Sequence, residues 1–399
     1  MEMSSRVSHM QSSPIRRLVP YANAARKAGK KVYPLNIGQP DIKTPKGFFN
    51  AIRDVDLEVL AYADSAGDAT LIEAIQAYYK TYDMNFDQDE IIITNGGSEA
   101  LLFAIITLCD PGDNIVVAEP FYTNYNGFAS AVNVEVRGIT TKAEDGFHFP
   151  AREEIEKVLD DKTRAFILNN PGNPTGVVYT AEEIKMIVDI AIDKDIFIVA
   201  DEVYREFVYD GLDYKSFGNF PEAEDRVVIV DSVSKRYSAC GARIGSLASK
   251  NKDFMGGVLK LCQGRLCAPT IEMIGATELY RTPVDYFKEV NDEYRKRRDT
   301  VFNALKKMDG VICEEPKGAF YVAVKLPVDD AEKFIIWMLS DFDYQGETLM
   351  MAPLEGFYAS QGLGKNEARI AYILETGELE KAMKVLEEAL KAYPGRQAI

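Results

Sequence analysis

The sequence predicts an α/β protein, with a large domain built on a mostly parallel sheet between helices and a smaller α+β domain beside it. Three observations carry that prediction. Short Ile- and Val-rich runs alternate with helix-length segments through the middle of the chain, the pattern of a parallel sheet with crossover helices. The strand-like runs are apolar throughout, as strands covered on both faces must be. After residue 280 the chain changes to charged helices and one alternating strand.

Taken in order, 91–94 (IIIT) reads as a buried strand and 98–108 as the apolar helix that follows it. A second strand covers 114–118 (NIVVA), a third 132–139, and a fourth 164–169 (RAFILN), which leads to a helix over 181–194. The fifth is 196–200 (IFIVA) and the sixth 226–230 (RVVIV). Residues 282–309, rich in Glu, Lys and Arg, predict a long solvated helix. Residues 319–325 (AFYVAVK) alternate like a half-exposed strand, and 379–392 form an amphipathic helix. A chain of 399 residues is too long for one small core. The division expected is a large domain over 46–280 and a small domain made of 1–45 and 281–399.

Apolar residues make up 47% of the chain and charged residues 27%, enough for a sizeable core without staples. The formal charge of −16 argues against nucleic acid and anionic membranes as partners, since both need Lys and Arg. Five cysteines, an odd number without a CxxC pair, argue against a disulfide framework and a zinc site, and predict reduced, mostly buried thiols. Only His9, in a polar N-terminal tail, and His148, between Phe147 and Phe149, are available, and a Ser-His-Asp triad or a multi-histidine metal centre is hard to build from these two. No metal is expected. No stretch of signal-peptide character opens the chain, and no run approaches the roughly 18 apolar residues of a membrane span. A cytoplasmic location is the expectation.

Ligands of open α/β sheets collect at the carboxyl ends of the strands. Four such ends carry unusual residues: Asn95-Gly96-Gly97-Ser98, Asn170 to Gly176 (NPGNPTG), Asp201-Glu202-Val203-Tyr204 and Asp231-Ser232-Val233-Ser234-Lys235. Gly96-Gly97-Ser98 opens a helix, so its free amides can hold an anion; a plain turn with Ser98 as N-cap is the simpler reading. A lone lysine is normally surface charge, but at a strand's carboxyl end the Lys235 amine would point into the crevice, where it can form a Schiff base with an aldehyde cofactor. Arg243, in Cys240-Gly241-Ala242-Arg243-Ile244-Gly245, can clamp a phosphate. Asp201 ends an apolar strand and needs a partner, either a protonated pyridine nitrogen or an ordinary cap or salt bridge. Asn173 is a candidate ligand within a stretch that could equally be only a turn.

The ordered set of motifs resembles the class I/II aminotransferases of fold type I, a pyridoxal-phosphate family, over nearly the whole chain. Its pieces include Asn36-Ile37-Gly38-Gln39-Pro40-Asp41, Gly96-Gly97-Ser98, Pro120-Phe121-Tyr122, Asn170 to Gly176, Asp201 to Tyr204, Ser232 to Lys235, Gly241 to Gly245 and Ala368-Arg369-Ile370. Within that family it looks like the aspartate aminotransferases. The resemblance implies a sheet of the seven-stranded type, pyridoxal 5'-phosphate as cofactor, and an amino acid and a 2-oxo acid as substrates.

It also implies roles. Lys235 resembles the lysine that bears the cofactor and moves the proton. Asp201 resembles the partner of the pyridine nitrogen, and Tyr204 and Asn173 the donors to the ring's phenolic oxygen. Tyr122 resembles the aromatic residue stacked on the ring. Gly97, Ser98, Ser232, Ser234 and Arg243 resemble the phosphate cup. Arg369 resembles the fork for the substrate α-carboxylate, and Gly38 lies where the N-terminal segment closes over substrate. Tyr62 resembles a tyrosine given to the phosphate by the neighbouring subunit, which implies a homodimer.

The activity implied is transfer of an amino group between aspartate, or another dicarboxylic or aromatic amino acid, and 2-oxoglutarate. A β-eliminating lyase of the same fold would share these residues, and a binding protein on the fold is a further reading that the retained Lys235, Asp201 and Arg369 argue against. Three departures stand out. Ala242 occupies a place often held by Trp, Ile42 one often held by Phe, and Ser98-Glu99 the place of a lysine that contacts a side-chain carboxylate. The distal carboxylate then needs another cation, with Arg265, Arg16 and Arg17 as candidates.

Overall fold

Among residues 3–397, the part of the chain described, the computed structural model contains twelve strands. β1 is Lys31–Pro34. The large sheet takes β2 (Ile91–Thr94), β3 (Asn114–Glu119), β4 (Glu135–Thr140), β5 (Thr163–Asn169), β6 (Phe197–Asp201), β7 (Val227–Ser232) and β8 (Gly245–Ala248). β9 (Tyr321–Lys325), β10 (Glu347–Met350), β11 (Ala352–Pro353) and β12 (Glu367–Ala371) follow.

The large sheet has the order β2-β8-β7-β6-β5-β3-β4. Only β8 runs against its neighbours β2 and β7; every other pairing in the sheet is parallel. Alternation along the strands explains why the sheet is buried on both sides. Ile91, Ile93, Phe166, Leu168, Ile198 and Ile229 face one apolar cluster. Ile92, Ile115, Val117, Ile167, Val199, Val228 and Val230 face another. Each fully buried side chain of this kind contributes about 1.5–3 kcal/mol. A slip of one residue would exchange the two sets, so the register is firmly specified.

A third cluster joins Leu18, Tyr33 and Leu35 near the N-terminus to Val290, Tyr294, Phe334 and Leu386 of the C-terminal part. The long helix Val284–Leu305 and the helix Thr376–Ala392 belong here, with the small sheets β1-β10 and β11-β12-β9. Tyr204, Phe207 and Tyr209, which follow β6, also join this cluster, so the segment after Asp201 bridges large sheet and small-sheet region.

Several expectations need correction. β8 (GSLA) went unrecognised as a strand because Gly and Ser have low strand propensity and four residues show little pattern. β1, β10, β11 and β12 were likewise not expected. The third strand begins at Glu135, not 132: the helix Asn124–Ala131 runs up to that point, and Asn133 turns the chain with φ +61°. The apolar helix begins at Gly96, with Asn95 as its N-cap, so Ser98 lies within the first turn and is not the cap. Of the cysteines only Cys262 is buried; the other four are half-buried, and all five are free. No helix among the described residues is long and apolar enough to cross a membrane.

Candidate active site

The carboxyl ends of β2, β5, β6 and β7 open onto one cavity of about 400 Å³. Gly38, Gly97, Ser98, Tyr122, Asn173, Asp201, Tyr204, Ser232, Ser234, Lys235, Arg243 and Arg369 all line it. Of the residues singled out for the cofactor and the substrate α-carboxylate, Tyr62 alone does not. Its side chain is 78% exposed, in an open stretch with Leu57, Val59 and Leu60, also exposed.

Lys235 sits in the short helix Val233–Arg236 that follows β7. Its Nζ donates to the Gly38 carbonyl at 2.8 Å and lies 5.9 Å from the centre of the Tyr204 ring. Gly38 must be glycine here, because a Cβ would fall 1.7 Å from the Tyr321 hydroxyl oxygen. That hydroxyl shares a 2.9 Å hydrogen bond with Tyr204.

Asp201 closes β6 and is 3% exposed. Its Oδ2 accepts from the Tyr125 hydroxyl at 2.8 Å, whereas Oδ1 is buried without a partner. Burial pushes the carboxyl up to about 6, against the opposing pull of the Tyr125 bond. An orphaned, buried carboxylate oxygen is costly, and a ring N–H would satisfy it.

Arg369, in β12, is the second incompletely satisfied group. Its Nη1 donates to Asn173 Oδ1 at 2.9 Å and its Nη2 to the Asn36 carbonyl at 2.5 Å. The guanidinium lies 4.5 Å from the centre of the Tyr321 ring, and Nε has no partner. Burial depresses its pKa, although nearby tyrosines favour the cation. Among the described residues no carboxylate pairs with it, which leaves a seat for one.

The third feature is an anion cradle. The first amides of the helix Gly96–Leu108 are free, since Asn95 supplies no side-chain cap. β8 runs directly beneath: a Cβ on Gly245 would meet the Gly96 carbonyl carbon at 2.5 Å. Ser232 Oγ accepts from the Ser234 amide at 3.1 Å and thereby shapes the turn. Arg243, at φ +54°, donates to the Cys240 carbonyl at 2.9 Å and keeps its guanidinium at the cavity edge. Tyr122 forms one wall; burial pushes its hydroxyl up to about 12.

Two cation candidates fall away. Arg265 does not line the cavity: its Nη1 pairs with Glu99 Oε2 at 3.2 Å and its Nη2 donates to the Ser65 carbonyl at 3.0 Å. Glu99, next to Ser98, draws it aside. Arg17 pairs with Glu332. Arg16 does line the cavity.

Sequence reasoning missed the contacts of Tyr125 and Asn36, and the role of Tyr321. Nothing local signals them, because each reaches a residue far along the chain. It also missed a buried ion network. Arg205 bonds Glu202 at 2.6 Å and Asp231 at 3.0 Å, and Asp231 also pairs with Arg236. Charged residues directly after buried strands were the available signal. The network ties the residue after Asp201 to both flanks of the Ser232–Lys235 turn.

Lys235, the orphaned Asp201 oxygen, Arg369 without a carboxylate and the anion cradle surround one cavity, and this donor set fits pyridoxal phosphate. The chain belongs to the aminotransferases of class I and II, whose family model matches residues 30–386. It is 30% identical to a probable aspartate aminotransferase of Methanocaldococcus jannaschii, across 97% of this chain and 99% of that protein. The solved aspartate aminotransferase of Thermotoga maritima matches with a TM-score of 0.89 and 30% identity, over 98% of this chain and all of the other. An alanine aminotransferase from Pyrococcus furiosus matches with a TM-score of 0.90 and 28% identity over the same shares. The protein is a pyridoxal-phosphate-dependent aminotransferase.

Proposed function

We propose that the enzyme exchanges an amino group between a dicarboxylic amino acid, above all aspartate, and 2-oxoglutarate. Aromatic donors are the next class to consider. The observation that carries the amino-acid part of this reading is Arg369, buried with no carboxylate partner among the described residues and facing a cavity that also holds Lys235. The names of the relatives support the dicarboxylic preference.

Pyridoxal phosphate, when bound, supplies an aldehyde for the amine and a ring that draws in the electrons left by a departing proton. Lys235 bears the cofactor and carries the proton with its Nζ, general acid–base work for an amine. With the cofactor bound, Asp201 Oδ1, which has no partner of its own, would keep the ring nitrogen protonated, and Tyr204 and Asn173 would be the donors to the phenolic oxygen. Gly97, Ser98, Ser232, Ser234 and Arg243, which line the cavity, would hold the phosphate, and Tyr122 would stack on the ring. Arg369 grips the α-carboxylate by a two-pronged pair and so aims the α-hydrogen at Lys235. Gly38 lets the N-terminal segment lie close over the substrate.

The reading extends to a homodimer in which Tyr62 reaches the partner's phosphate site; the exposed Leu57, Val59 and Leu60 beside it support an apolar interface. Residues 46–280 act as one unit and 1–45 with 281–399 as the other, a division the separate apolar clusters support. The working place is the cytoplasm. The test is a panel of amino donors with 2-oxoglutarate as acceptor. Aspartate should lead, with glutamate and the matching 2-oxo acid formed in step. Release of ammonia and pyruvate without an acceptor would mean β-elimination instead.

A further inference from the structure

Five charged side chains line the cavity: Arg16, Asp201, Lys235, Arg243 and Arg369. The reading above gives work to four of them. Arg16 has none, and among the described residues its guanidinium enters no hydrogen bond or ion pair. Its neighbour Arg17 is occupied by Glu332. An unpaired cation at the mouth of a substrate cavity is a site for a carboxylate, to which a guanidinium can bond through two parallel N–H groups.

The arm that carries Arg16 is held in place. Gln11 donates to the Gly356 carbonyl at 3.2 Å and accepts from Asn126 at 3.1 Å. Asn36 donates to the Ile15 carbonyl at 3.4 Å, and the same Asn36 offers its own carbonyl to Arg369 at 2.5 Å. The arm is thus tied, through Asn36, to the guanidinium assigned to the α-carboxylate. Ile15 and Ile37 line the same mouth and leave Arg16 the available cation beside them.

We infer that Arg16 receives the distal carboxylate of a dicarboxylic substrate, and that the N-terminal arm acts as a specificity strap across the cavity. This rests on the dicarboxylic reading above and names the residue responsible. Because Arg16 is itself exposed, the expected effect is that of a partly solvated pair, about tenfold to a hundredfold in rate constant.

The experiment is a donor half-reaction, followed by cofactor absorbance without acceptor, since 2-oxoglutarate is itself dicarboxylic and would mask the effect. Holoenzyme, Arg16→Gln, Arg16→Lys and the charge control Arg26→Gln are compared with aspartate, glutamate and alanine. Succinate binding by calorimetry gives a readout free of turnover. Arg16→Gln should lose tenfold or more with aspartate or glutamate, bind succinate correspondingly weakly, and keep its alanine rate within about twofold. Arg16→Lys should recover part of the loss, and Arg26→Gln should match the wild type. If the wild type prefers dicarboxylic donors and Arg16→Gln keeps that preference, this inference falls alone. If the wild type takes alanine as readily as aspartate, the dicarboxylic reading falls and takes the inference with it.

Discussion

Arg369 Nη1 donates to Asn173 Oδ1 at 2.9 Å, yet no carboxylate among the described residues reaches this buried guanidinium. A cation so placed is complete only when substrate arrives. Arg369→Ala should therefore lower kcat/KM for amino-acid donors by about 2–5 kcal/mol in transition-state stabilisation, the cost of losing one partner of a desolvated pair. Cofactor absorbance should persist, because Arg369 touches the substrate end. Steady-state kinetics beside an absorption spectrum distinguish this from a general loss of folding.

Asp201 yields a pH prediction for the cofactor-free protein. Its folded-state pKa is raised from 3.8 to about 6. A raised carboxyl pKa means that the folded state holds its proton more tightly than the unfolded state. The stability this gives is complete below pH 4 and is lost as pH rises through 6, with a size on the order of 3 kcal/mol. Urea unfolding of cofactor-free wild type and Asp201→Asn at pH 4.5 and 6.5 measures it. The wild type should lose stability relative to the variant between the two values; equal changes would contradict the assignment. In the holoenzyme, Asp201→Asn should bind cofactor more weakly and lose most turnover.

The strands and the cavity were legible in the sequence to different degrees. Runs such as IFIVA and RVVIV announce buried strands because apolar residues without a polar face have nowhere else to go. The strand ends at Asp201 and Lys235 were legible because charge directly after such a run is costly without a ligand or partner. β8 was hidden in GSLA, whose glycine serves the close approach to Gly96 more than strand formation. Pairings such as Tyr125 with Asp201, 76 residues apart, depend on the assembled fold. The choice among Arg16, Arg17 and Arg265 was equally illegible, since it turned on Glu332 and Glu99 capturing two of the three.

The network of Arg205, Glu202, Asp231 and Arg236 is fully buried, and it brackets the Lys235 turn. Removing one cation leaves a carboxylate short of charge in a low dielectric. Arg236→Ala should cost about 3–5 kcal/mol of stability. Chemical denaturation at fixed protein concentration checks the value, and a loss under 1 kcal/mol would show that the network is readily repacked.

Tyr62 and its exposed apolar neighbours should be covered in solution. Light scattering should give about twice the chain mass. Mixing inactive Lys235→Ala with a Tyr62→Phe variant should restore part of the activity through hybrid sites, as shared sites require. A fully active monomer would remove Tyr62 from the phosphate site.

If Lys235 performs an amino transfer, a single half-reaction of the loaded enzyme reveals it. Cofactor-loaded enzyme is given its best donor without any acceptor, and the 2-oxo acid released is measured against the concentration of sites. One equivalent of oxo acid per site is expected, with no ammonia, and neither product from Lys235→Ala, which should still hold cofactor. Continuous ammonia release without acceptor, or an unchanged yield from Lys235→Ala, would contradict amino transfer by Lys235.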